Sequence, residues 1–568
     1  MIESQTFKRA LNPDLTDSSR LACGCFRTYC YTVRQALKFT GGPMIFQGPH
    51  AGVSIPNVSL HEFVLHGAAR LKDTPALIDA ETGRTLTYGE LARDTCRVAA
   101  GLAARGMRKG DVFALMLPNV PEFATVFYGV LATGGAVTTL NPLYTADEIA
   151  HQLEDSGAKY LLTLPQLFDK AAAVAAKLQL RDIFVVGEKA GATSFSALLA
   201  GDGAPPSVDI DPGKDLAVLP YSSGTTGEPK GVMLTHANLV ASVLATAMAF
   251  PFDEGTIALA LLPFFHVAGM VCVLHLGIHA GGSLVLMRRF ALEDFLQTIQ
   301  NYRIELAGLV PPIVHALAKG PEVESYDLSS LRLVTSGAAP LGADMQHACE
   351  NRLRTPLVQG YGMTEAAGLT HGCAPAISKN KAGSVGPGAP NIHCKVVDVC
   401  TGAELGPKQQ GEVWLRSPQV MKGYLNNQTA TAQCLDSDGW YHTGDIGYAD
   451  EDGYFYIADR IKEMIKYKAY QVAPAELEAL LLTHPGIADA AVVPSPDEQA
   501  GEVPKAFLVR RQSVTVEEVL DFVAARVAPY KKIRSVEFVE QLPKSPSGKL
   551  LRRVLRDRER RGTNLEQS

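Results

Sequence analysis

Helical and extended patterns alternate along this chain from Leu60 onward, and that alternation narrows the fold before any motif is considered. LTYGELARDTCRVAAGLAARG has the pattern of an amphipathic helix, DVFALMLP reads as a strand, VPEFATVFYGVLATGG as a helix and AVTTLNP as a strand. Thr145 and Glu148 form a capping box that opens ADEIAHQLEDSG, and the strand AKYLLTL follows. Strands separated by whole helices join through right-handed crossovers into parallel sheets. A second such series runs from Asp215 to about Tyr361. Beyond GYGMTE the texture changes to short strands and Gly/Pro turns, as in GSVGPGAP and GEVWLRSPQVMKGY. After Arg460 a small unit follows, with a helix at APAELEALLLTHP, strands at ADAAVVPSP and PKAFLVRR, a helix capped by Thr515 and Glu518, and a last strand near VEFVE. The expected fold class is α/β: a large N-terminal domain of parallel α/β sheet subdomains plus a β-rich subdomain, and a small α+β C-terminal domain. The expected boundaries are a flexible extension at 1–43, the large domain at 44–460 and the small one at 461–568.

At 568 residues the chain is too long for one core, and 46% hydrophobic with 20% charged residues is ordinary globular composition. A net charge of −6 argues against a nucleic-acid binder, but the charge is uneven. Residues 460–568 carry 19 Lys/Arg against 15 Asp/Glu, and residues 1–43 carry six against three, so the middle is acidic. A basic C-terminal part against an acidic body suits a phosphate-rich ligand between them; a solvated charged surface has the same composition. The ten cysteines include no CxxC pair and no metal-ligand spacing completed by histidine, which fits reduced thiols. From Thr256 to Met287 there is no Lys, Arg, Asp or Glu, yet Pro263, His266, His275, His279 and Gly281-Gly282 interrupt the run. It reads as buried strand, helix and strand, with no membrane span. Residues 1–43 lack the apolar stretch of a signal peptide, and Glu3, Asp14 and Asp17 count against a transit peptide. The ending LEQS is no peroxisomal address, so the cytoplasm is the expected compartment.

YSSGTTGEPKGVMLTH, from Tyr221 to His236, nearly matches a phosphate-binding P-loop. Gly224 lies six residues before Lys230, but Pro229 and Gly231 flank that lysine, so the second glycine and the Mg2+-binding hydroxyl of the P-loop pattern are missing. The physics of phosphate binding survives. Ser222, Ser223, Thr225 and Thr226 offer hydroxyls, Gly224 and Gly227 let backbone N–H groups approach oxyanions, and Lys230 adds a charge. Taken alone, the stretch could equally be a polar surface loop.

Its company resembles a family. YSSGTTGEPKG, LPFFHVAGM, SGAAPLG, QGYGMTE, GSVG, GYLNN, GWYHTGD, DRIKEMIKYKAYQVAPAELE and LPKSPSGKLLRR occur in that order between Met44 and Arg553. In these motifs the chain is similar to the adenylate-forming enzymes, which include acyl-CoA synthetases, 4-coumarate–CoA ligases and firefly luciferase, and within them it looks most like the 4-coumarate–CoA ligase branch. The resemblance implies a ligase that converts a carboxylic acid and ATP to acyl-AMP and pyrophosphate, then passes the acyl group to coenzyme A with release of AMP. It implies ATP, Mg2+ and coenzyme A as reactants, a small-molecule acid as substrate, and a mobile C-terminal lid.

The resemblance also implies roles. Ser222, Ser223, Gly224, Thr225, Thr226 and Lys230 would hold the β- and γ-phosphates; Thr364 would contact the α-phosphate and Glu365 would bind Mg2+, where a helix N-terminal carboxylate is the plain alternative. Tyr361 in Gln359-Gly360-Tyr361 would stack on adenine, with Gly337, Ala338 and Ala339 as the opposite wall. Asp445, helped by Arg460, would take the ribose hydroxyls. Lys549 would bridge the substrate carboxylate and α-phosphate, a role that suits a long, movable cation. Lys466 and Gln471 would lie near the acyl-adenylate, Lys462 would be the hinge, and Lys468 and Ala469 would meet coenzyme A. His266, Ala268 and Cys272 would line the acid site, with His266 positioning the carboxylate.

Two positions depart from the family pattern. Many relatives have glycine where this chain has Ala469, a methyl that could crowd the thiol step. Hydroxycinnamate ligases typically carry Tyr and a hydroxyl residue where this chain has Ala268 and Cys272. Loss of those hydroxyls implies less polar acids: cinnamate-like aryl acids without ring hydroxyls, or medium-chain fatty acids. Two other functions stay open at this point: acyl transfer to a carrier protein, and a non-catalytic nucleotide-binding relative.

Overall fold

The computed structural model describes residues 44–566 apart from Ala51, 202–203, 223–228, Pro251, 375–378, Ala469, 498–499 and 545–549, with backbone alone for Tyr470, Gln471 and 560–566. The expected extension at 1–43, the loop residues Ser223, Gly224, Thr225 and Thr226, and the expected Ala469 and Lys549 therefore lie outside the described residues.

Two largely parallel sheets carry most of the chain. The first runs in the order Tyr221–Ser222, Lys230–Thr235, Leu216–Val218, Ala136–Thr139, Val112–Met116, Ala158–Thr163, Asp182–Val185 and Thr193–Ser194. All residues of Val112–Met116 are buried, as a strand covered by helices on both faces must be, and this is why VFALM is apolar without alternation. Both capping boxes form: Glu148 N–H donates to Thr145 Oγ1 at 3.3 Å while Thr145 N–H donates to Glu148 Oε2 at 2.7 Å, and Thr515 and Glu518 make the same exchange at 3.2 and 2.8 Å.

The second sheet runs Leu357–Gln359, Leu333–Ser336, Leu306–Leu309, Ile257–Ala260, Ser283–Leu286, Pro75–Asp79 and Thr85–Thr87. Here the structure differs from the reading of two consecutive series. The early strand Pro75–Asp79 joins the second sheet through Leu77 opposite Leu284, and the later Leu216–Val218 returns to the first through Val218 opposite Val137. Parallel partners meet through long crossovers, so no local residue pattern states which sheet a strand joins. The uncharged run forms a buried strand Ile257–Ala260, helical turns between Val267 and Ala280, and a buried strand Ser283–Leu286. Among the described residues no helix is long and apolar enough to cross a membrane.

An antiparallel sheet follows: Phe46–Gln47, His393–Val397, Gly411–Arg416, Tyr441–Ala449 and Phe455–Arg460. Sheet membership then changes within a few residues. Ile465–Tyr467 belongs to a further sheet with Tyr470–Val472, Gly501–Arg510, Ile487–Asp497 and Ser535–Phe538. Ile465, Leu477, Leu481, Val492, Leu508 and Val519 make a core of its own beneath the helices Pro474–Leu482 and Val516–Ala524. Cys96, Cys272, Cys349, Cys373, Cys394, Cys400 and Cys434 are free thiols.

Candidate active site

Parallel α/β sheets place loops at the carboxyl ends of their strands, and ligands bind there. Leu333–Ser336 and Leu357–Gln359 are parallel neighbours with Ser336 opposite Gln359. Gly337 and Gly360 therefore leave the sheet side by side, and a Cβ on Gly337 would come within 3.3 Å of the Gly360 carbonyl oxygen. Ala338 has φ 69°, a left-handed backbone that costs a non-glycine residue roughly 1–2 kcal/mol. Strain held at a loop between two sheet ends is a mark of functional sites. Gln359 is buried and its amide is consumed by protein: Nε2 donates to Leu341 O at 3.0 Å and to Gln346 Oε1 at 2.9 Å, and Oε1 accepts from Leu341 N–H at 3.3 Å. These bonds tie it to the end of the 337–341 loop.

Asp445 and Arg460 are direct partners across the antiparallel ladder, and Arg460 Nε lies 3.2 Å from Asp445 Oδ1. The Tyr361 hydroxyl donates to Asp445 Oδ2 at 2.5 Å. Asp445 is itself held from behind, its N–H donating to Thr443 Oγ1 at 3.0 Å while that hydroxyl donates to Val413 O at 2.7 Å. Burial and the Asp445 charge push the Tyr361 phenol well above its ordinary pKa. Burial works against the Arg460 charge, but Asp445, then Glu463, Tyr361 and Glu365, outweigh it and hold the guanidinium above its usual value.

Glu365 follows Tyr361–Met363 in a short helical turn, Thr364–Ala366. Its carboxylate is buried, and Oε1 accepts from Ser222 Oγ at 2.8 Å and from the Tyr424 hydroxyl at 2.9 Å. Ser222 and Lys230 are opposed across the hairpin that brackets 223–228, so both ends of the YSSGTTGEPKG stretch sit beside Glu365. Lys230 Nζ lies 5.3 Å from the Tyr424 ring centre. Tyr424 arrives because Gly423–Tyr424 pairs with Lys230–Thr235, Val232 opposite Tyr424. Among the described residues no group of three or more His, Cys, Asp or Glu could hold a metal ion. A carboxylate flanked by hydroxyls is a hard oxygen donor set, which fits Mg2+ held by one protein carboxylate together with substrate phosphates.

His266 precedes the turn Val267–Gly269, and its Nδ1 accepts from Ala268 N–H at 3.3 Å. Gly269 is required there, because a Cβ would lie 2.2 Å from the Pro263 carbonyl oxygen. Next comes a wide π-helical turn, Met270–His275, which contains Cys272; such turns recur at functional sites. A Cβ on Gly368 would lie 3.5 Å from Cys272 Sγ, so the turn packs against the segment that follows Glu365. Burial pushes the Cys272 thiol up to about 11, and it faces its surroundings as a neutral thiol. His266, Ala268 and Cys272 thus share one short segment near the Glu365 turn.

Beyond Arg460 the expected residues separate. Lys462 is exposed in the turn 461–463. Lys466 and Gln471 are direct partners on the hairpin Ile465–Tyr467 and Tyr470–Val472, and Lys466 is exposed. Lys468 has φ 53° at the hairpin turn, with its N–H donating to Ala500 O at 2.7 Å. Sequence reasoning passed over Tyr424, Thr443, Asp459 and Arg552. Tyr424 lies in the quoted GYLNN and Arg552 in LPKSPSGKLLRR, but neither motif states which side chain it meets.

The fold is α/β, with charged and hydroxyl side chains gathered where Gly337 and Gly360 leave their strands, and family models sharpen that. The AMP-binding enzyme model matches residues 64–425, and the AMP-binding enzyme C-terminal domain model matches 476–549. The chain belongs to the AMP-binding enzyme family. It is 45% identical to a 4-coumarate–CoA ligase of Pinus taeda over 88% of this chain and 95% of that one, and 44% identical to 4-coumarate–CoA ligase 3 of Oryza sativa subsp. japonica over 91% and 95%. Among solved structures it resembles the anthranilate CoA ligase AuaEII in complex with anthranoyl-AMP, with a TM-score of 0.83, 25% identity and coverage of 89% and 98%. ATP-bound MatB from Rhodopseudomonas palustris gives a TM-score of 0.80 at 29% identity, covering 88% and 99%.

Proposed function

We propose that this chain is an ATP-dependent acid–thiol ligase that activates a carboxylic acid as acyl-AMP and transfers the acyl group to coenzyme A, releasing pyrophosphate and AMP. In the first step a carboxylate oxygen attacks the α-phosphorus, and the bond to the β-phosphate oxygen breaks with pyrophosphate as leaving group. Two anions must approach each other, so fixed donors and cations dominate the catalysis. In the second step the coenzyme A sulfur attacks the acyl carbonyl and AMP leaves.

The observation that carries this reading is the convergence of Asp445, Arg460 and Tyr361 with the Glu365–Ser222–Lys230 group, in a chain of this family. In the reading, Tyr361 and the 337–339 loop hold adenine, Asp445 takes the ribose hydroxyls, and Thr364 meets the α-phosphate. Ser222 to Thr226 with Lys230 hold the β- and γ-phosphates. Glu365 takes Mg2+, which when bound neutralises phosphate charge. His266 positions the acid, Cys272 and Ala268 form its apolar wall, Lys462 is the hinge, and Lys466, Gln471 and Lys549 serve the reacting centre. The acids proposed are cinnamate-like aryl acids without ring hydroxyls, or medium-chain fatty acids.

The test is thioester formation with ATP, Mg2+ and coenzyme A across cinnamate, 4-coumarate, benzoate, octanoate and palmitate, with AMP release followed in parallel. Thioester from one acid class supports the reading and assigns the substrate. AMP or acyl-adenylate without thioester overturns coenzyme A as acceptor.

A further inference from the structure

One guanidinium near the C-terminus is enclosed by carboxylates from three places in the chain. Arg552 Nε and Nη2 donate to Glu478 at 3.0 and 2.6 Å, Nη1 donates to Asp459 Oδ1 at 3.3 Å, and Nη1 also meets Glu463. Glu478 lies on the helix Pro474–Leu482, Glu463 in the turn after Arg460, and Asp459 in the strand Phe455–Arg460. The cluster is enclosed, with side-chain exposures of 11% for Arg552 and 4% for Asp459. Asp459 Oδ2 also accepts the Ala475 N–H at 2.9 Å, and Oδ1 accepts the Arg460 N–H at 2.8 Å.

Position along the chain gives the cluster its meaning. Arg552, Glu463 and Glu478 all follow Lys462; Asp459 alone precedes it, next to the Arg460 that holds Asp445. Arg552 follows Lys549 by three residues. Glu478 already gives Arg552 a two-pronged partner, and a single guanidinium cannot neutralise every carboxylate around it. Burying surplus like charge is a poor way to gain stability, whereas a charged contact between segments fixes their register. The Asp459–Arg552 contact ties the C-terminal segment to the strand that carries Arg460.

We propose that Arg552 is a positioning residue: its contact with Asp459 registers the C-terminal segment that begins at Arg552, three residues on from Lys549 in the sequence, against the Arg460 strand for acyl-adenylate formation, and is not required for thioester formation. The half-reaction assignment rests on the function proposed above, whereas the tether itself does not.

The test compares Asp459→Asn, Arg552→Lys and Glu478→Gln in the full chain. Asp459→Asn keeps the side chain's shape and an oxygen acceptor but removes the charge on the near side of Lys462; Glu478→Gln weakens only a contact within the C-terminal unit. Hydrogen exchange of peptides covering 550–559 reports the tether without reference to activity. ATP–pyrophosphate exchange reports the first half-reaction, and thioester formation from supplied acyl-adenylate reports the second. Asp459→Asn and Arg552→Lys are expected to speed exchange in 550–559 and to slow pyrophosphate exchange on the order of tenfold to a hundredfold, with the second half-reaction within about twofold of wild type. Glu478→Gln is expected to lower the melting temperature and to affect both half-reactions alike. Unchanged hydrogen exchange in Asp459→Asn overturns the tether. Parallel loss of both half-reactions in that variant overturns the positioning role in favour of general stabilisation. A wild-type chain that exchanges no pyrophosphate with any acid overturns the proposed function; the hydrogen-exchange arm then still decides the tether.

Discussion

Tyr361 donates its phenol hydrogen to Asp445 Oδ2 at 2.5 Å while Arg460 sits 3.2 Å from the other oxygen, so one carboxylate is gripped from both sides. Hydrogen bonds to charged groups contribute about 1.5–3 kcal/mol each. Asp445→Ala removes the proposed ribose acceptor and leaves Arg460 without its cross-strand partner. The expected outcome is a KM for ATP raised on the order of tenfold to a hundredfold. Tyr361→Phe frees one oxygen of Asp445 and costs less. Equal ATP dependence in wild type and Asp445→Ala would remove Asp445 from the nucleotide site.

Glu365 is held by Ser222 and Tyr424 through the same oxygen, Oε1. Glu365→Gln keeps the shape and loses the anion, so the Mg2+ concentration for half-maximal activity should rise while the melting temperature changes little. Tyr424→Phe should shift the Mg2+ curve in the same direction by a smaller amount. A Mg2+ titration that superimposes for wild type and Glu365→Gln would show that the carboxylate is a structural cap only.

Cys272 presents a neutral thiol, held protonated by burial, beside the segment that follows Glu365. An apolar wall gives a phenol no hydrogen-bond partner, so ring hydroxyls gain nothing there. Cys272→Ser is expected to raise kcat/KM for 4-coumarate relative to cinnamate. If wild type already prefers 4-coumarate to both cinnamate and octanoate by about tenfold or more, the apolar-acid assignment is wrong.

His236, His275 and His371 are each pushed down to about 3 by burial, with the His61 charge adding to the effect at His236. Histidine in the unfolded chain titrates near 6.5, so on acidification the unfolded state takes up protons first. Their contribution to stability is complete above about 6.5 and is lost progressively as the pH falls from there toward about 3. Melting temperature should therefore fall steeply between pH 6.5 and 5. His275 bonds Tyr128 through Nδ1 at 3.0 Å while its buried Nε2 has no partner, so His275→Leu should flatten the acid slope. A melting temperature independent of pH across that range would contradict the assignment.

Asp459 is shifted upward instead. Burial pushes it up to about 7 and Glu463 and Glu478 add to the rise, while the Arg552 charge opposes them. Its charge, and the attraction to Arg552, are present above about 7 and lost as the pH falls below it. The rate of acyl-adenylate formation should carry an ascending limb near pH 7 that is absent in Asp459→Asn, measured as ATP–pyrophosphate exchange from pH 6 to 8.5.

Local chemistry was legible in the sequence where the cause is local. Thr145 and Glu148 cap a helix because the two groups are three residues apart, and no distant contact is needed. The motif order named the family, and Tyr361, Asp445, Arg460 and Glu365 do converge. What stayed hidden depends on pairing between distant segments. Nothing near Tyr424 says that it will meet Glu365, 59 residues away, and nothing in LLRR says that Arg552 will reach Asp459 across 93. Sheet membership was hidden for the same reason, since Leu77 and Val218 are apolar strand residues that would serve either sheet.

The early strand Pro75–Asp79 has a consequence for how the chain is made. Its parallel neighbour Ser283–Leu286 lies far downstream, with Ser283 Oγ donating to Pro75 O across 208 residues. A ribosome adding about 5–20 residues per second needs roughly 10–40 s to cover that interval. During that time Pro75–Asp79 pairs only with Thr85–Thr87 and offers an apolar edge to whatever is near. Nascent chains released or stalled before Leu286 are therefore the species most prone to aggregate, and slower, cooler expression with chaperones present should raise the soluble yield more than any substitution in the finished core.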